Sequence, residues 1–299
     1  VIIIFIMIFV TNVILNSLFI YVFNMGVQGA AYATIIARFV ELITLVVLSH
    51  KAKCEFCHGA YTQLFSIDDF LIKRICKKSV LLFVNEIFWV TGMVMVSLAY
   101  SQRDGVLSSL SIVSTMGDVF SIVFQGLSVG IGVLVGSSLG AGEYEQAKTY
   151  VKKFYILGIL IAASVGLLFA CLSPVIPMLY SKVEPSQKKL ATELIAIYSC
   201  FIPFFATSAI SYTILKTGGK TFTTFMLDSV LFWVLFIPLA WILAKLTTVP
   251  LIVIYIVVQS CDIVKSIIGI IIISKGSWIQ NLTVQNETSK VEEVKLNNI

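Results

Sequence analysis

Long solid runs of apolar residues alternate with short polar stretches along this chain. Eight such runs stand out, near 1–23, 28–49, 79–100, 107–139, 152–173, 190–214, 223–245 and 249–273. Each is close to the roughly 20 residues that carry a helix across a bilayer. The runs are solid rather than alternating, and this excludes a membrane β-barrel, whose strands alternate lipid-facing and lumen-facing positions. The pattern predicts an all-α polytopic membrane protein with about eight transmembrane helices. Composition agrees: 58% of residues are hydrophobic, only 12% are charged, and mean hydropathy is +0.98. A soluble domain sits nearer one half and one quarter.

Charge then orients the spans. Fourteen basic residues fall on the side that holds segment 51–78 and the tail, five on the other. The positive-inside rule places 51–78 and the C-terminus in the cytoplasm of a multi-pass cell-membrane protein. The chain opens at Val1 in mid-span, "VIIIFIMIFV", without a basic stretch or a small-residue cleavage site, so no signal peptide is expected.

An internal repeat is visible. "TNVILNSLF" (11–19) aligns with "TTFMLDSVL" (223–231), with Thr, Leu and Ser identical and Asn16 facing Asp228. Each begins a span that is followed by a returning one. The first returning span carries Arg38 and Glu41, the second Asp262 and Lys265, so a charged pair recurs with its signs exchanged. Two helix pairs of like orientation suggest parallel repeats about an axis along the membrane normal, an architecture of secondary transporters. Equal halves would put about four further spans ahead of Val1. A charge at mid-bilayer costs about 2.5–3.5 kcal/mol on insertion scales. Spacing of i, i+3 puts both members of each pair on one helix face and allows local pairing.

Several stretches, taken together and in order, resemble the multidrug and toxic compound extrusion (MATE) transporters. They are "GVQGAAYATIIARFVE" (26–41), "NEIFWVTG" (85–92), "GLSVGIGVLVGSSLGAGEYEQAK" (126–148), "LKTGGKT" (215–221), "LDSVLFWVLFIPLA" (227–240) and "GSWIQNL" (276–282). The resemblance implies twelve spans in two six-helix lobes, of which this chain holds the C-terminal part. Residues 1–50 would be the last two helices of the first lobe, 51–78 a cytoplasmic linker, 79–273 the second lobe and 274–299 a cytoplasmic tail. The implied activity is export of bulky, often cationic amphiphiles by antiport with Na⁺ or H⁺. The chain would need no cofactor, bind no nucleic acid and act as a monomer at full length. The alternative is a lipid-linked oligosaccharide flippase of the same broad architecture, which would show a more cationic cavity for pyrophosphate. The chain departs from the family in having Leu81 where many members place Pro, and in lacking an acid in "FIPFFATSAISYTILKTGG".

Candidate site residues are the polar groups inside the spans. Asn85 and Glu86 lie several residues into the third run, Asp118 and Gln125 in the fourth, Asp228 near the start of the seventh. Glu86 leads for ion coupling, as a buried carboxylate that binds Na⁺ or takes up a proton. Arg38, Glu41, Asp262 and Lys265 would line or brace the cavity. "CEFCH" (54–58) fits haem attachment or a zinc site in spacing, but a cytoplasmic loop argues against the haem and a solvated loop is the plainer reading. Gly132, Gly136 and Gly140 have the small-xxx-small spacing that allows close helix packing in lipid, and with Gly126 and Gly130 would let the long fourth span bend. No metal or nucleophile constellation marks an enzyme.

Overall fold

The structure is a computed structural model that describes residues 2–51 and 69–280. Among these no strand forms, and seven helices are long and apolar enough to cross a membrane. The first predicted run is helical from Ile2 to Val22, its stretch over 9–22 strongly apolar. The CEFCH stretch, most of the expected linker and the tail beyond 280 lie outside the described residues. The chain divides into two compact units, 1–74 and 75–299.

In the first unit, α1 (Ile2–Ser17) continues into a π-helical turn, Leu18–Val22. Positive φ at Asn24 (52°) and Gly26 (54°) reverses the chain into α2 (Gly26–Lys51). Gly29, Ala33 and Ala37 are the buried residues of α2, spaced by four along one face. A Cβ on Gly29 would stand 2.9 Å from the Phe19 Cβ, so the small stripe is what lets α2 lie against the preceding segment.

The second unit is built from α3 (Asp69–Tyr100), α4 (Leu107–Gly140), α5 (Tyr144–Leu172) and α6 (Pro185–Thr217). After these come α7 (Thr221–Phe225), α8 (Ile237–Leu246) and α9 (Leu251–Ser274). Between α7 and α8 the chain is wound as two π-helical segments, Met226–Val230 and Phe232–Phe236, so Thr221–Leu246 forms one span. α6 is central, packed on α4, α5 and α9 through Leu194, Ile195, Ile202, Ile210 and Ile214. Outward side chains such as Val90, Ile122, Leu160 and Leu167 stay exposed, as suits a lipid-facing surface.

α3 and the α7–α8 span run parallel, side by side. The indole of Trp233 donates to the Phe88 carbonyl at 2.9 Å, that of Trp241 to the Met95 carbonyl at 3.1 Å, and Arg103 Nη2 to the Thr247 carbonyl at 2.6 Å. The partner separations hardly change along this series, which fixes both direction and register. A Cβ on Gly92 would sit 2.8 Å from the Phe232 ring, so glycine there lets the two helices approach.

The glycine expectation for the fourth run is corrected. A Cβ on Gly126, Gly132 or Gly140 would meet nothing within 4 Å, and only Gly136 among the small-xxx-small set comes near a neighbour, Thr217 at 3.3 Å. The α4 helix continues unbroken through all of them. Close packing falls instead on Gly92, on Gly269 against Ser211, and on a small-xxx-small stripe of α5, Gly158–Ala162–Gly166, whose Gly166 meets the Ser199 carbonyl.

Candidate functional site

Asn85 and Glu86 are neighbours on α3, about 100° apart around the helix axis, and that angle gives them different surroundings. Asn85 points into the unit and is fully buried; its amide donates to Asp228 Oδ2 at 3.1 Å and its Oδ1 accepts from Ser229 Oγ at 2.7 Å. Ser229 Oγ also lies 2.9 Å from the Asn85 carbonyl. Glu86 is exposed, not buried as expected, and accepts a hydrogen bond from the Tyr212 hydroxyl of α6 at 3.1 Å. The buried member of the pair is the neutral one, because an amide can satisfy donor and acceptor at once inside a protein.

The π-helical winding of Met226–Val230 turns Asp228 and Ser229 inward together. Such segments often mark functional positions in helices. The first unit carries a π-helical turn at Leu18–Val22, which aligns with 230–234 and so lies four residues later than the segment that holds Asp228. The two copies also differ in chemistry. Asn16, the counterpart of Asp228, donates to Asn12 at 2.8 Å, whereas Asp228 is bonded to the ammonium of Lys265 at 2.5 Å. Side-chain exposures of 8% for Lys265 and 12% for Asp228 make this a buried pair.

The expected local pairing therefore holds in one repeat only. Arg38 and Glu41 pair within α2 at 2.7 Å, with the Arg38 side chain exposed. Asp262 and Lys265 do not pair within α9. The charged Asp228 gives Lys265 an interhelical acceptor that the first copy, with neutral Asn16, lacks. Asp262 is itself buried, 7% exposed. Asp118 and Gln125 both lie exposed on α4, seven residues apart and hence on one face. Asp118 is within electrostatic reach of Tyr198.

The structure thus brings together Asn85, Asp228 and Lys265, with Glu86 beside them through Tyr212, which also feels Asp228. It leaves Asp118 and Gln125 on a separate helix face. Tyr212 and Ser229 were missed by sequence reasoning. Ser229 was visible only as an identity between the repeats, and Tyr212 is one hydroxyl in a long apolar run. Among the described residues no group of three or more His, Cys, Asp or Glu could hold a metal ion.

Membrane-length helices around a buried carboxylate–ammonium network define a multi-pass helical membrane protein. The MatE family model matches residues 81–242, just over half of the chain, and the chain belongs to that family. It is 25% identical over 286 residues to multidrug and toxin extrusion protein 1 of Xenopus tropicalis, covering 95% of this chain and 49% of that protein. It is 24% identical over 281 residues to the probable multidrug resistance protein NorM of Thermotoga maritima, covering 89% and 57%. The chain spans about half the length of these curated relatives. In fold it is similar to a solved multidrug resistance MATE family transporter of the MOP superfamily in an outward-facing conformation. The TM-score is 0.75 at 16% identity, over 87% of this chain and 58% of that one. A MOP superfamily transporter from Pyrococcus furiosus superposes equally well, with a TM-score of 0.75 at 17% identity over 87% and 58%.

Proposed function

We propose that this chain is part of a secondary active transporter that exports cationic, amphiphilic drugs or toxic compounds by antiport with Na⁺ or H⁺, and that Glu86 carries the coupling cation. The observation that supports this most is the split between neighbours. Asn85 is locked into the buried Asp228–Lys265 network, while Glu86 keeps an exposed carboxylate held by a single hydroxyl, that of Tyr212. An exposed, tethered anion can bind and release a cation without dismantling the core. The buried network beside it then reports occupancy to α3, the α7–α8 span and α9, which supply Asn85, Asp228 and Lys265. Asp118 and Gln125 add polar groups on α4 for a cationic passenger, and Arg38 and Glu41 brace the first unit.

The charge distribution favours a cationic passenger over a pyrophosphate-linked one. Within the spans of the second unit Glu86 and Asp118 are exposed, whereas the mid-span base Lys265 is buried against Asp228. In this reading the C-terminus is cytoplasmic, the two units belong to two lobes with the linker between them, and the full-length protein works as a monomer.

The test is efflux of ethidium from vesicles containing the full-length protein under an imposed Na⁺ or H⁺ gradient, beside its Glu86→Gln variant. Gradient-driven efflux that the variant loses is the expected result. Efflux unchanged in the variant would remove Glu86 from the coupling role, and no efflux from folded protein would overturn the export reading.

A further inference from the structure

Among the described residues the buried interior of the second unit holds two carboxylates, Asp228 and Asp262, against one ammonium, Lys265. Lys265 gives its bond to Asp228. Asp262, one turn away on α9, is 7% exposed, and among the described residues no hydrogen bond or ion pair reaches its carboxylate. The groups within its electrostatic reach come from several helices: Tyr100 of α3, Tyr198 of α6, Tyr255, Cys261 and Lys265 of α9 itself, and Asp228 of the π-helical segment. The Tyr100 and Tyr255 rings are in contact, with centroids 5.7 Å apart. Apart from Lys265, already bonded elsewhere, every one of these groups is neutral or negative.

The cluster therefore carries one unmatched buried negative charge when all three charged groups are ionised. A charge in a membrane interior persists only when it is paired or functional. One monovalent cation would balance it. A metal cation needs several oxygen ligands, and among the described residues no group of three or more His, Cys, Asp or Glu stands here to supply them. A proton needs one oxygen. We propose that Asp262 is a proton-binding site inside the second unit, distinct from Glu86, which neutralises the Asp228–Lys265–Asp262 cluster by taking one proton onto its carboxylate.

Occupancy has a structural consequence. With Asp262 protonated, Lys265 stays on Asp228, and Asp228 holds the Asn85 amide of α3. With the proton released, Asp262 becomes a second anionic acceptor for the same ammonium, one turn away on its own helix. Lys265 then shifts between two carboxylates, and its hold on the α3 contact weakens. The site is thus placed to couple protonation on α9 to the packing of α3.

The inference does not depend on what compound is exported, and its test does not read transport. Infrared difference spectra of the full-length protein in lipid nanodiscs, recorded between acidic and alkaline sodium-free buffer, report protonated carboxyl groups directly. The expected result is a carboxylic C=O band, shifted in D₂O, that disappears in Asp262→Asn and survives in Glu86→Gln. Asp262→Glu, which keeps the carboxyl, should move the band rather than abolish it, so the assignment stays testable if the Asn variant does not fold. A band unchanged in Asp262→Asn and Asp262→Glu, or no such band at all, overturns the proposal. A band abolished by added sodium at fixed pH would assign the site to a metal cation and overturn it as well. Failed ethidium efflux with the band intact would reject the export reading alone.

Discussion

Replacing Lys265 by Met removes the ammonium from the Asp228–Lys265 pair while keeping most of the side-chain volume. Asp228 is then left with one donor, the Asn85 amide at 3.1 Å. Both members are nearly inaccessible, at 8% and 12% side-chain exposure, so water cannot replace the lost partner. Removing one partner of a buried ion pair costs about 3–5 kcal/mol, because the remaining charge stays behind uncompensated. A hydrogen bond between membrane helices, by contrast, averages only about 0.6 kcal/mol. The structure favours the larger figure, since a full charge is orphaned. Asp228→Asn made in the same background removes that orphan, and the double variant should recover at least about 2 kcal/mol of the loss. The assay is a double-mutant cycle on unfolding of the full-length protein in detergent micelles. Additivity of the two substitutions within about 0.5 kcal/mol would refute the pairing. So would a Lys265→Met cost below about 1 kcal/mol, which would mean that water reaches the site.

Three further outcomes follow from other contacts. Gly92→Val puts a branched side chain where even a Cβ stands 2.8 Å from Phe232, itself stacked on Phe236 at 4.5 Å. It should destabilise by about 1–3 kcal/mol, read as a lowered unfolding midpoint, and an unchanged midpoint would reject the close approach of α3 to the Phe232–Phe236 segment. Tyr212→Phe deletes the one hydroxyl that holds Glu86, and since such bonds contribute about 1 kcal/mol, the gradient needed for half-maximal efflux should rise several-fold with little change in stability. Glu145→Ala breaks a 2.6 Å contact to Lys148, but the Glu145 side chain is 87% exposed, so no measurable change in unfolding midpoint is expected.

The spans were legible because solid apolar runs of bilayer length leave little else for the chain to do. Their ends were less so. α5 begins at Tyr144 rather than 152, and α6 at Pro185 rather than 190, because the polar turns that precede each apolar run are helical too. Glu145 and Lys148 bond along the first of these turns, and Pro185 suits the first turn of the second. The candidate residues were legible as types, since polar groups inside apolar runs announce themselves. Their partners were not. Adjacent Asn85 and Glu86 read alike, and only the rotation of α3 against the α7–α8 span decides that the amide goes inside. Lys265 read as the partner of Asp262 at i, i+3, but the inward turn of the π-helical segment presents Asp228 instead. No local pattern in "TTFMLDSVLFW" signals that winding, along which Trp233 and Ser229 bond to carbonyls of α3.

The central claim is exchange, and exchange is reciprocal: if a cation gradient drives the drug, a drug gradient must drive the cation. The most direct measurement places the full-length protein in liposomes loaded with ethidium and with no initial ion gradient, and follows internal pH and ²²Na⁺ entry as the drug leaves. The account predicts cation uptake that starts with ethidium exit, requires the protein and is lost in Glu86→Gln. Ethidium exit at full rate without movement of either cation would contradict it.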